Sequence, residues 1–210
     1  MPTRDDLLNA GTELLESEGL GALSLRRIAR AAGVTHGAPR YHFPTYESLL
    51  AAIARRGIEE LATDLAPCLG DPDPREAIRR AARAYLAFAV RRPEMFELIV
   101  RHDLLNGAGS NLREITVPWF TALRSILARI DGDQDATRAL ALWSSVHGLA
   151  VLTARRTTEP VSDGKLAPDA ALAYLLNALV PAPAHSTQLA GEGQAVPGYD
   201  QALQVRQLFR

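Results

Sequence analysis

From Leu7 to Val180 the apolar positions return every three or four residues, the period of an amphipathic helix, and the expected fold class is all-α. Leu7, Leu8, Gly11, Leu14 and Leu15 share one face of a first helix, opened by a Thr3 cap with Asp5 and Asp6 at its positive end and closed near Gly19. Ser24 caps a second helix with a narrow stripe of Ile28, Ala29 and Ala32. Gly33 then supplies a left-handed residue, Val34 an apolar plug, and Thr35 a cap for a third helix from His36 to His42. One helix stops and another starts within about three residues, which predicts a helix-turn-helix.

Thr45 caps a fourth helix through Leu49, Leu50, Ile53, Leu61 and Leu65, and the stretch Pro67 to Pro74 breaks the chain. Asp73, Pro74 and Glu76 predict the next helix start, as cap, first-turn proline and reciprocal acceptor. Further apolar faces run over Pro93 to Leu105, over 112–130, over 135–156 and over 169–180, with Pro118 kinking its helix or marking a false start. The division expected is a helix-turn-helix domain at 1–46, a connecting helix at 46–66, a sensing and dimerising bundle at 67–180, and a flexible Pro-, Ala- and Gly-rich tail at 181–210.

Composition narrows the class. With 47% apolar residues and a mean hydropathy of -0.05, the 210-residue chain has material for a real core. Net charge is -1, so attraction to nucleic acid has to come from local placement. The single cysteine, Cys68, leaves no internal disulfide or cysteine zinc cluster. Charged residues interrupt every long apolar run, and the first residues are too acidic for a secretion signal, so a cytoplasmic location without membrane contact is expected.

That local placement lies between Ser24 and Phe43, where Arg26, Arg27, Arg30 and Arg40 face no acidic residue. His36, Gly37, Arg40 and Tyr41 belong to the groove-facing end of the short third helix. Arginine can bond guanine O6 and N7 in a bidentate pair, and glycine lets the backbone approach. The amides of Tyr46 and Glu47, at the start of the fourth helix, can hold a phosphate.

LSLRRIARAAGV, followed by a short helix ending in Tyr41-His42-Phe43, then Pro44 and a capped fourth helix, resembles the DNA-binding domain of the TetR family of transcriptional regulators over residues 5–65. The resemblance implies a homodimeric repressor on palindromic double-stranded DNA, released by a small, largely apolar effector. It implies DNA contacts by Thr35, His36, Gly37, Arg40, Tyr41 and His42, with Arg26 and Arg27 near the backbone and Tyr46 at a phosphate position. The family usually has tyrosine where this chain has Arg40 and lysine where it has Tyr46.

The aromatic set of the larger part belongs to its core by default, and some of it must line a pocket in a ligand sensor. The candidates are Tyr85, Phe88, Phe96, Ile99, His102, Trp119, Phe120, Leu123, Trp143 and His147. The last two helices are apolar on more than one face and call for a second copy of the chain. Candidates for that interface are Trp143, Val146, Ala150, Ala154, Leu172, Leu175 and Leu179, in keeping with the resembled family, whose last two helices form the dimer interface. The run from Trp143 through His147 to Gly148 resembles the tryptophan, histidine and glycine signature of one subclass of the family's C-terminal domains.

Neither His102 nor His147 has a second ligand at metal-binding spacing, and there is no Gly-rich phosphate loop, nucleophile elbow or carboxylate pair. No catalytic residue, metal or cofactor is therefore expected. The alternatives to a DNA-binding regulator are an interaction protein on the same fold and, last, a helical-bundle enzyme.

Overall fold

Side-chain caps open half of the elements among the described residues. In the computed structural model, which describes residues 3–35, 37–101, 105, 111–132, 135–157 and 167–180, the Thr3 hydroxyl accepts from the Asp6 amide at 3.2 Å, while the Asp6 carboxylate accepts from the Thr3 amide at 2.7 Å. That reciprocal pair opens α1, Arg4–Glu18, which Gly19 ends at φ 80°. A single 3-10 turn, Leu20–Ala22, leads to Ser24, whose hydroxyl accepts from the Arg27 amide at 3.2 Å and opens α2, Leu25–Ala31. Gly33 takes φ 68°, and the Val34 amide reaches back to the Ala29 carbonyl at 2.9 Å to close it.

The third helix is shorter than expected. α3 spans Pro39–His42 and has no side-chain cap; Thr35 contributes only its carbonyl, to the Ala38 amide at 3.0 Å. Proline has no N–H to continue a ladder backward, and Gly37 disfavours a helical turn before it, so the helix starts where proline costs nothing.

The fourth helix is longer than expected. Thr45 and Ser48 exchange amide-to-hydroxyl bonds at 3.1 and 3.2 Å at the head of α4, Tyr46–Leu69, which passes through Pro67. A proline in the last turn forfeits one ladder bond, and burial of Leu65 and Cys68 beside it keeps that turn in place. α5, Pro74–Arg91, opens with the Asp73 carboxylate accepting from the Arg75 amide at 2.9 Å. The amide of Asp73 itself goes to Asp71 at 3.0 Å, so Asp71 takes the place expected of Glu76.

Then come α6, Pro93–Val100; α7, Arg113–Asp131; α8, Ala136–Ala154; and α9, Pro168–Leu179. α7 runs unbroken through Pro118, which is therefore no false start. His36, His102 and the 181–210 tail lie outside the described residues. Among the described residues no helix is long and apolar enough to cross a membrane.

One continuous core runs from Leu7 in α1 to Val180 after α9, with α4 as its shared wall. At one end of α4, Leu49, Leu50 and Ile53 pack with Leu7, Leu8, Leu15, Ile28 and Phe43 around the helix-turn-helix. Gly11 permits that approach, since a β-carbon there would lie 2.6 Å from Ile53 Cδ1. At the other end α4 meets α5, α6 and α7, and Gly57 gives way to Met95. Each large side chain buried here contributes about 1.5–3 kcal/mol.

Ion pairs tie the two ends. Arg56 of α4 bonds Asp5 at 2.8 Å and Asn9 at 2.7 Å on α1. Arg92, between α5 and α6, reaches Glu16 of α1 at 2.8 Å and Glu60 of α4 at 2.5 Å. These groups are partly solvated, so Arg92→Gln is expected to cost only about 1 kcal/mol of stability, and high salt should shrink that difference in urea melts.

Candidate nucleic-acid interface and ligand cavity

The helix-turn-helix presents its arginines unequally. Arg26, Arg30 and Arg40 are exposed and make no ion pair among the described residues. Arg27 is also exposed, but its guanidinium sits against the Glu18 carboxylate at 2.6 Å and donates to the Ala22 carbonyl at 3.1 Å. The pair ties the end of α1 to the start of α2. Arg30, left out of the expected contacts, takes its place on the open basic ridge.

Tyr41 is 89% exposed and meets His42 edge-on, a large apolar ring held in solvent beside Arg40. Thr35 and Gly37 are exposed in the turn, and nothing would touch a β-carbon at Gly37. Tyr46 departs from the expectation. Its hydroxyl donates to the Leu23 carbonyl at 3.0 Å, fastening the head of α4 to the approach of α2. Burial, with a lesser effect of the Glu47 carboxylate, pushes that hydroxyl above the ordinary tyrosine value, so it keeps the proton it donates. The one proton of the Tyr46 hydroxyl is thus engaged within the chain.

Beyond Gly57, α4 forms one wall of a half-open cavity of about 610 Å³, whose other walls come from α5, α6, α7 and α8. Seven of the expected residues line it: Tyr85, Ile99, Trp119, Phe120, Leu123, Trp143 and His147. Phe88 and Phe96 do not. Both are sealed in the core, at 0% and 1% exposure, because they face the packed interior of α5 and α6. The wall also takes Ile58, Leu61 and Leu65 from α4 and Arg113, Thr116 and Thr121 from α7, none of them expected. Arg113 lies seven residues before Phe120, two helical turns along the same face, a spacing that could have placed it.

Tyr85 and His147 share a hydrogen bond at 2.8 Å between the phenol oxygen and Nδ1, with the donor set by the histidine tautomer. Burial pushes the Tyr85 hydroxyl far above the usual phenol range. Trp143 stacks on His147, with ring centres 5.0 Å apart and planes 11° from parallel. This aromatic group forms the α5–α8 side of the cavity.

The surface of α8 and α9 differs from the expected interface. Val146, Ala150 and Leu172 are buried in the protomer's own core and present nothing to a second chain. Ala154, Leu175 and Leu179 are half-buried, while Leu140, Trp143 and Leu152 on α8 and Tyr174 on α9 stand exposed. The inward stripe of α8 packs on α5 and that of α9 on α8 and α5, and the outward stripe of each is the one left over.

Residues 7–53 match the family described as bacterial regulatory proteins, tetR family, and residues 78–179 match the family described as tetracyclin repressor-like, C-terminal domain. The chain is 26% identical over 156 residues to the uncharacterized HTH-type transcriptional regulator Rv0681 of Mycobacterium tuberculosis, covering 71% of this chain and 69% of that protein. A protein with unknown function from Rhodococcus sp. RHA1 superposes with a TM-score of 0.70 at 26% identity, over 84% of this chain and 92% of that one. BioQ, solved with its double-stranded DNA operator, superposes with a TM-score of 0.62 over 85% of this chain and 98% of its own; at 22% identity that likeness is one of fold. With both its N-terminal and C-terminal parts matched, the chain belongs to the tetR family and is a helix-turn-helix transcriptional regulator, not an enzyme.

Proposed function

We propose that the protein is a homodimeric repressor that binds a palindromic operator and leaves it when a small, largely apolar ligand enters the cavity. What carries this reading is α4, which ends at the exposed arginine ridge on one side and walls the cavity on the other. In this reading Arg40, with His36, Gly37 and Tyr41, reads the major groove. Thr35, His42, Arg26 and Arg30 grip phosphates, and Arg27 and Tyr46 brace the turn. The exposed stripes of α8 and α9 pair with their copies about a twofold axis, with Ala154, Leu175 and Leu179 at the edge.

Ile53, packed on the helix-turn-helix, and Ile58, on the cavity wall, stand five residues apart on α4. A ligand that needs a different placement of Ile58 moves the reader with it. It releases DNA only by the difference in its affinity for the two placements. In this reading the stacked Trp143 and His147 are part of the wall that a ligand touches.

Footprinting on the DNA beside the gene tests this reading: two protected half-sites roughly 34–36 Å apart are expected. Protection of a non-repetitive site by a monomer would overturn it. Since the Tyr46 hydroxyl is occupied by Leu23, one phosphate contact per half-site is missing relative to lysine-bearing relatives. The plot of log affinity against log salt should be shallower by about one unit for each. A slope as steep as that of such a relative would count against this account of Tyr46.

A further inference from the structure

The chemistry of the cavity wall narrows the ligand, on the reading that the cavity is the sensor. Among its described lining residues Arg113 carries the one permanent charge, and no carboxylate lines the space. Arg113 makes no ion pair or hydrogen bond among the described residues. Four of the other polar side chains on the wall already have hydrogen-bond partners within the chain. The Thr116 hydroxyl donates to the Leu112 carbonyl at 3.3 Å, the Thr121 hydroxyl donates to the Val117 carbonyl at 3.3 Å, and Tyr85 and His147 hold one another.

Arg113 also occupies the first position of α7, where the backbone adds partial positive charge. Its neighbour Glu114 is held by the Asn111 side-chain amide at 2.9 Å. A cationic ligand would find no counter-ion on this wall and an arginine at its edge. One guanidinium balances one negative charge, and its paired N–H groups match a carboxylate.

We propose that the cavity takes an amphiphilic carboxylate. Its apolar body lies against Leu61, Leu65, Phe120 and Leu123, and its carboxylate pairs with the Arg113 guanidinium.

The chain has two tryptophans, Trp119 and Trp143, and both line the cavity, so its own fluorescence reports occupancy. Full-length protein is titrated near neutral pH and at low salt with decanoate, 1-decanol and decyltrimethylammonium, each below its aggregation limit. Decanoate is expected to bind about tenfold more tightly than decanol, by a preference that added salt reduces. Arg113→Gln should erase that preference chiefly by weakening decanoate, with a much smaller change for decanol, while Arg113→Lys should keep part of it. Equal affinities for decanoate and decanol, or tighter binding of the ammonium, would overturn the carboxylate assignment and leave the cavity a ligand site. If none of the three alters tryptophan emission, the sensor reading itself falls.

Discussion

Arg40→Ala is expected to remove sequence-specific binding and leave the fold intact. A bidentate arginine–guanine contact discriminates by about 1–3 kcal/mol, and a twofold dimer loses it at both half-sites, so the deficit is roughly 2–6 kcal/mol. That corresponds to a fall in operator affinity of roughly thirtyfold to twenty-thousandfold. Affinity for unrelated DNA should drop far less, because the other exposed arginines, Arg26 and Arg30, remain. Arg40 has no partner among the described residues, so its loss should leave the melting curve within about 0.5 kcal/mol of the parent.

Arg27→Ala is the informative comparison. Its guanidinium is held by Glu18 at 2.6 Å, so truncation should loosen the α1–α2 corner while costing little discrimination between operator and unrelated DNA. Gel shifts of both variants on operator and scrambled duplexes measure the contrast. An Arg40→Ala protein that still prefers the operator as strongly as the parent would remove Arg40 from the reading surface. A non-DNA-binding interaction protein would show no operator preference in any variant.

Local chemistry made much of this fold legible. Thr3, Ser24, Thr45 and Asp73 each cap the helix that their sequence position announces, because a cap needs only the next two or three amides. The readings that failed involved a competitor that the same local rule also allowed. Asp71 outcompetes Glu76 for the Asp73 amide, and Pro39 starts α3 without any use of the Thr35 hydroxyl. At the site, residue type was legible and facing was not. Tyr85 and Phe88 are three residues apart on α5, yet one lines the cavity and the other is sealed in the core. Two pairings at the candidate DNA-facing end are non-local: Arg27 with Glu18 nine residues away, and Tyr46 with Leu23 twenty-three away. Nothing in the periodicity of one helix reveals a partner on another, which also explains why Val146, Ala150 and Leu172 were assigned to a second chain rather than to their own core.

Phe88→Ala separates core from cavity. Phe88 is 0% exposed and packed among α5 and its neighbours, with the Arg91 guanidinium 5.5 Å above its ring. Truncating such a phenyl removes its transfer energy and leaves a hole, at a cost of about 3–5 kcal/mol. For a chain of this size each kcal/mol shifts the midpoint by roughly 2–4 °C, so Tm should fall by roughly 6–20 °C. Chain concentration is held fixed, since the proposed dimer would make the midpoint concentration-dependent. Phe120→Ala should behave in the opposite way: its ring is half-buried on the cavity wall, so the loss falls on ligand affinity and much less on stability. Thermal melts together with tryptophan titrations of the two variants resolve the pair. If Phe88→Ala weakened ligand binding by the folded protein as much as Phe120→Ala does, the cavity would have to extend through the core to Phe88. That would reinstate Phe88 as a sensing residue, against its complete burial in this structure.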